Sequence, residues 1–154
     1  YEGGVRVPCI VRWPGKVPAG SVNERVTGFE DWLPTLLELS GSEASLPSGI
    51  DGISFATTLL GGWQRERPFL YREFPGYGGQ QFVRIGEWKG IRQGLRPRQG
   101  QPANLHIELY NLAADIGETA DLSAAHPEIV RQIKSIMDRE HRPSVEFPLA
   151  ALDR

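Results

Sequence analysis

Phe82-Val83-Arg84-Ile85-Gly86-Glu87-Trp88-Lys89-Gly90-Ile91 is the stretch that decides the fold. Two short runs of β-branched and aromatic residues flank Gly86-Glu87. Glycine at the first of two central positions is what a type II′ hairpin prefers. An antiparallel pair is therefore predicted here. Upstream, Phe69-Leu70-Tyr71 reads as a further strand. Downstream, Leu105, Ile107 and Leu109 alternate with His106, Glu108 and Tyr110, which predicts a half-buried strand over 105–110. Residues 93–104, polar and rich in Arg, Gln and Pro, read as an exposed loop between strands. Pro127 then stands at a helix start, and Ile129, Ile133, Ile136 and Met137 form one apolar stripe that Val130 widens. Arg131, Lys134, Asp138 and Glu140 fall on the wet side, and Pro143 marks the end. A small antiparallel sheet packed against a C-terminal amphipathic helix is an α+β layer.

Toward the N-terminus the signals change. Val5 to Trp13, closed by Pro14-Gly15, reads as a strand and turn, with Pro8 confining its first half to an edge. Thr27-Gly28-Phe29-Glu30 fits a capping box, followed by Leu33, Leu36, Leu37 and Leu39 at helical spacing and a stop at Gly41. Ser54 is placed to cap a shorter helix ending at Gly61-Gly62. A strand–helix segment thus precedes the small sheet.

Composition narrows the function. The 154 residues carry 17 Lys+Arg against 19 Asp+Glu, with 40% apolar and 23% charged residues. That is globular composition without the basic excess of a general nucleic-acid or membrane-surface binder, and no apolar run approaches the roughly 20 residues of a membrane span. Charge is unevenly spread: residues 1–62 net −3, 63–104 net +5 and 105–154 net −4. The single cysteine, Cys9, excludes an internal disulfide or a multi-cysteine metal site, and its apolar neighbours predict a buried, inert side chain.

Few residues offer chemistry. His106, His126 and His141 lack metal-ligand spacing. Asp115-Ile-Gly-Glu118-Thr-Ala-Asp121 fits a turn whose carboxylates take up free backbone N–H groups better than an acid–base pair. Neither a phosphate loop nor a nucleophile elbow is present around the glycines or Ser54. The distributed signal is the basic middle: Arg65, Arg67, Arg72, Arg84, Lys89, Arg92, Arg96 and Arg98, interleaved with Tyr77, Phe82 and Trp88. Guanidinium forks suit sulfate, phosphate or carboxylate, but a solvated sheet face balancing acidic neighbours is the favoured reading of such a set.

The strings themselves suggest a family. Tyr1-Glu-Gly-Gly-Val-Arg-Val-Pro8, Arg12-Trp-Pro-Gly-Lys16 and Asp31-Trp-Leu-Pro-Thr-Leu-Leu-Glu-Leu-Ser-Gly41 resemble the C-terminal third of sulfatases. So do Asp51-Gly-Ile-Ser-Phe55, Val83-Arg-Ile-Gly-Glu-Trp-Lys89, Glu108-Leu-Tyr-Asn-Leu112 with Gly117-Glu-Thr, and His126-Pro-Glu128. The resemblance implies an alkaline-phosphatase-like parent enzyme that hydrolyses sulfate esters or N-sulfates, with a formylglycine from a C-x-P-x-R or S-x-P-x-R motif and a bound calcium ion. Cys9-Ile10-Val11-Arg12-Trp13 lacks that motif, so the nucleophile, the calcium ligands and the catalytic His and Lys are expected upstream of Tyr1.

These readings define the expectations. The chain, which opens at Tyr-Glu-Gly-Gly without Met, is expected to be the C-terminal part of a sulfatase, inactive alone. Residues 1–62 are assigned to the tail of the large α/β domain, and 63–154 to the C-terminal subdomain. No catalytic or metal-binding residue is assigned to it. Its partners are the upstream domain and a sulfated small molecule or glycan, with no nucleic acid and no membrane. Arg72 and Glu73, and less strongly Arg6, are the expected substrate contacts: the arginines for an anionic sugar, the glutamate for hydroxyls. The resemblance suggests a periplasmic, extracellular or lysosomal location. The alternatives are a stand-alone module binding anions or sulfated glycans through the Arg-rich middle, and a related phosphodiesterase or phosphonate hydrolase.

Overall fold

β1 (Leu70–Phe74), β2 (Gln80–Ile85), β3 (Trp88–Gln93) and β4 (Glu108–Asn111) form one antiparallel sheet in that spatial order. The structure, a computed structural model, describes residues 2–97 and 101–153. The hairpin forms at Gly86-Glu87: Ile85 lies opposite Trp88, and Gly86 takes φ 55 where a side chain would be strained. One helix, α4 (Pro127–Glu140), packs on one face of the sheet. Val83 and Leu109 from the strands and Ile133, Ile136 and Met137 from the helix are buried together there. Each such side chain contributes roughly 1.5–3 kcal/mol by leaving water. Gly90 lies at the closest approach, where an added Cβ would stand 2.7 Å from Ile133 Cγ2. The opposite face buries Phe82, Ile91, Tyr110 and Leu112.

The predicted strand at 105–110 begins later, at Glu108. β3 pairs with β4 only as far as Ile91↔Glu108. Gly94, at φ 75, turns the chain away and accepts from Asn104 N at 3.1 Å. Ile107 is still buried, but Leu105 has no strand to lie against and is exposed.

The chain divides into two compact units, Tyr1–Arg6 with Pro68–Arg154, and Val7–Arg67. The second unit holds α2 (Trp32–Leu39) and α3 (Ala56–Leu59), with 3-10 turns at Phe29–Asp31 and Glu43–Ser45. The strand expected over Val5–Trp13 does not form. Glu2–Val5 is instead a single helical turn, α1, and residues 6–13 are irregular and exposed except at Val11. Pro8 removes a ladder donor there, and no described strand pairs with the segment. Cys9 is therefore exposed, not the buried hydrophobe its neighbours suggested.

The capping bond lies one residue later than the Thr27–Glu30 expectation and closes the 3-10 turn Phe29–Asp31 that leads into α2. Gly28 N donates to Asp31 Oδ2 at 2.8 Å, so Asp31 and not Glu30 supplies the returning carboxylate. Asp31 and Thr35, both almost fully buried, then hold the motif that follows α2 in sequence. Ile53 N donates to Asp31 Oδ1 at 2.8 Å, and Phe55 N donates to Thr35 Oγ1 at 3.0 Å. Gly52 passes so close that a Cβ would lie 2.2 Å from the Glu30 carbonyl oxygen. Two of the quoted strings, Asp31–Thr35 and Gly52–Phe55, are thus one structural lock. Ser54 Oγ accepts from Ala56 N at 3.2 Å, but the N-cap of α3 is Phe55, one residue later than the expected Ser54, and it makes no side-chain cap bond.

Candidate functional site

Strand alternation separates the expected contacts. Glu73 shares the α4 face of the sheet with Tyr71 and Gln81, whereas Arg72 shares the other face with Phe82. Arg72 Nη1 donates to the Tyr71 carbonyl at 2.6 Å. Glu73 Oε1 accepts from the Tyr71 hydroxyl, from Gln81 Nε2 at 3.2 Å and from His141 Nδ1 at 2.6 Å. His141 Nε2 faces Asp153 Oδ1 at 3.0 Å, so one imidazole links β1, the end of α4 and the C-terminal segment. Burial and the Glu73 carboxylate push the Tyr71 phenol well above its ordinary value, which keeps it a donor. Arg6 lies just past α1, exposed, with its backbone N on Glu2 O at 2.8 Å. The structure does not bring these three side chains into one constellation.

What it does bring together was missed. Lys89, fully buried, holds Glu118 Oε1 at 2.9 Å and Glu2 Oε1 at 3.3 Å, and Glu2 N donates to the other Glu118 oxygen. Lys89 Nζ also stands 4.9 Å over the Phe82 ring. Glu118 adopts φ 54, rare for a residue with a Cβ. A buried ammonium between two carboxylates is costly to break because an uncompensated charge would remain in low dielectric. Three of the quoted strings meet here: Tyr-Glu-Gly-Gly through Glu2, Glu-Trp-Lys through Lys89 and Gly-Glu-Thr through Glu118. Their recurrence as strings was the available signal, but no local pattern says that a lysine in a strand will be paired across 87 residues of chain.

The basic middle is neither a solvated face nor a cluster. Lys89 and Arg92 are buried, the latter with Nη1 on Gln81 Oε1 at 3.0 Å and Nη2 3.8 Å from Asp138 Oδ1. Burial lowers the Arg92 pKa, with Asp138 opposing. Arg67 pairs with Glu30 and Asp31 within the Val7–Arg67 unit. Arg84 returns to the Gly86 carbonyl, Arg96 is exposed, and Arg98 lies outside the described residues.

The Asp115–Asp121 run is a turn, as its residues suggested. Asp115 accepts from Thr119 N and Ala120 N at 2.7 and 3.0 Å. Partial burial opposes ionisation of Asp121, but bonds from Leu109 N, Ser123 N and His106 outweigh it and hold the carboxyl down to about 2. His126 precedes α4 with its ring 4.8 Å from that of Trp88. Among the described residues no three His, Cys, Asp or Glu side chains converge to hold a metal. Cys9 does not stand in a formylglycine motif. The described residues therefore offer no side-chain set to hold calcium, and the single cysteine does not fit formylglycine.

Residues 1–142 match the family model described as N-sulphoglucosamine sulphohydrolase, C-terminal. The chain belongs to this sulfatase C-terminal family. Pig N-acetylgalactosamine-6-sulfatase is 29% identical over 94% of the chain, and rat arylsulfatase G is 32% identical over 83%. The chain spans only 32% and 26% of those relatives' lengths. Among solved structures, one from a Bacteroides thetaiotaomicron core genetic locus for the metabolism of multiple glycosaminoglycans superposes with a TM-score of 0.67. It is 27% identical and covers 90% of this chain and 30% of its own. The four-stranded antiparallel sheet with its terminal helix is the sulfatase C-terminal fold, and the expected α+β class holds. No helix among the described residues of this sulfatase domain is long and apolar enough to cross a membrane.

Proposed function

We propose that this sulfatase domain completes a sulfuric ester hydrolase whose nucleophile and calcium ligands lie in an upstream domain, and that the substrate is a sulfated sugar. The observation that carries the reading is the family match over residues 1–142, in a chain that spans about a third of the relatives' length. Exposed apolar side chains support it: Val7, Ile10, Val22, Phe29, Leu33 and Leu36 in the Val7–Arg67 unit are each between 48% and 93% exposed. A set of that kind is what a neighbouring domain covers.

Formylglycine and calcium chemistry would be supplied wholly by that domain, and no step of it is assigned to residues of this chain. The expected division at residue 62/63 belongs to this proposal, as do Arg72, Glu73 and Arg6 as contacts along one rim of the cleft. A lysosomal, periplasmic or extracellular location goes with the same reading. Turnover of p-nitrophenyl sulfate tests it: the protein with its upstream domain should hydrolyse the ester, and the purified 154-residue chain should not. Measurable turnover by the chain alone would overturn the division of labour.

A further inference from the structure

We propose that Phe74, Tyr77 and Arg96 form a subsite for an anionic sugar residue of a glycan chain, away from any reacting sulfate; the choice of ligand class rests on the sulfatase reading above. Pro75-Gly76-Tyr77-Gly78-Gly79 joins β1 to β2. Tyr77, Gly78 and Gly79 take φ values of 48, 81 and 78 in succession. Two of these positions carry glycine, for which the left-handed region is open; the first carries a bulky aromatic, for which it is strained. The tyrosine gains little inside the chain in return. It is 89% exposed, and its ring meets that of Phe74, itself 51% exposed, at 5.9 Å between centroids and an angle of 34°. Glycine at position 76 is what lets Phe74 fold over the loop, since a Cβ there would lie 2.8 Å from the phenyl Cε1. Strain kept at an exposed aromatic points to a role outside the fold.

Arg96 is fixed to the same loop by two bonds of its own and one from Leu95. Its backbone N donates to Gly78 O at 2.7 Å, Leu95 N donates to Gly79 O at 3.2 Å, and Nη1 donates to Pro75 O at 3.2 Å. The remaining guanidinium donors have no partner among the described residues. An exposed aromatic pair offers a face to the C–H groups of a pyranose ring. A guanidinium held beside it offers a fork to a sulfate or carboxylate on the same sugar. Tyrosine provides that area with only two side-chain torsions to freeze. Gln80, opposite Phe74 in the register and bonded to Gln93 at 3.3 Å, adds amide groups on the same sheet face that suit sugar hydroxyls.

The test is calorimetric binding to the intact protein, upstream domain included. The probes are size-defined tetrasaccharides of heparin, chondroitin 6-sulfate and carrageenan, with their desulfated forms as controls. Tyr77→Gly removes the ring and relieves the left-handed strain. Affinity for the tetrasaccharide bound by the parent protein should fall about tenfold while Tm holds or rises. Tyr77→Phe should bind as the parent does. Arg96→Gln should weaken binding of the sulfated tetrasaccharide and leave its desulfated form unaffected. Unchanged affinity in Tyr77→Gly, or no saturable binding of any probe, overturns the subsite. So does a fall in Tm with Tyr77→Gly, which would assign the ring to a contact with the upstream domain. Turnover of p-nitrophenyl sulfate, which carries no glycan chain, separates the two proposals. An intact protein that hydrolyses it without Tyr77-dependent glycan binding refutes the subsite alone, and one that does not hydrolyse it refutes the sulfatase reading.

Discussion

Lys89 ties Glu2 of the N-terminal turn and Glu118 to strand β3. Its ammonium is the described cationic partner of two buried carboxylates, Glu2 and Glu118. Lys89→Met fills the space but leaves both acids without compensation, so the expected cost is about 3–5 kcal/mol, read as a lowered urea midpoint. Adding Glu118→Gln to that variant should recover part of the loss, because one of the stranded charges is gone. Asp121 gives a second test at this scale. Its folded pKa, about 2, lies below the ordinary value of about 3.9. A depressed carboxyl contributes stability above the unfolded pKa and loses it as pH falls through the folded one. Stability should therefore decline from about pH 4 toward pH 2, and Asp121→Asn should flatten that part of the profile. A profile unchanged by the substitution would remove Asp121 as its source.

Between elements, the α4–β3 contact is governed by Gly90. Alanine there would put a methyl into Ile133, and overpacking of this kind costs about 1–3 kcal/mol. Gly90→Ala should lower Tm, and Ile133→Val in the same chain should restore part of it by making room. This contact also shows how much could be read in advance. The hairpin was legible because Gly86-Glu87 is a local turn signal, and α4 because its stripe from Ile129 to Met137 keeps helical spacing over more than two turns. The segment at Val5–Trp13 was not, since a β-branched run becomes a strand only where another strand is present to pair with it. Leu105 failed for the same reason: alternation reports which face would be buried, not how far the partner extends. Arg72 and Glu73 are adjacent in sequence, and strand geometry therefore sends them to opposite faces. The Glu2–Lys89–Glu118 cluster, by contrast, joins strings whose separation in sequence hides the contact.

At the scale of the whole chain, the exposed apolar residues of the Val7–Arg67 unit decide between a complete module and part of a larger enzyme. Helix α2 turns Pro34 and Thr35 inward but leaves Leu33 and Leu36, with Phe29 just before it, 48%, 56% and 81% exposed. A self-contained module should tolerate polar residues at these positions, where substitutions away from a contact usually stay within about 0.5 kcal/mol. A domain that packs on an upstream partner should not, because each large side chain taken from a buried interface forfeits roughly 1.5–3 kcal/mol. Leu33→Gln and Leu36→Gln should accordingly leave the urea midpoint of the isolated 154-residue chain nearly unchanged and reduce its concentration-dependent association. In the intact protein the same pair should lower the midpoint and, with it, the yield of active sulfatase. Equal effects in both backgrounds would mean that α2 is finished as it stands, and that whatever the upstream domain rests on lies elsewhere.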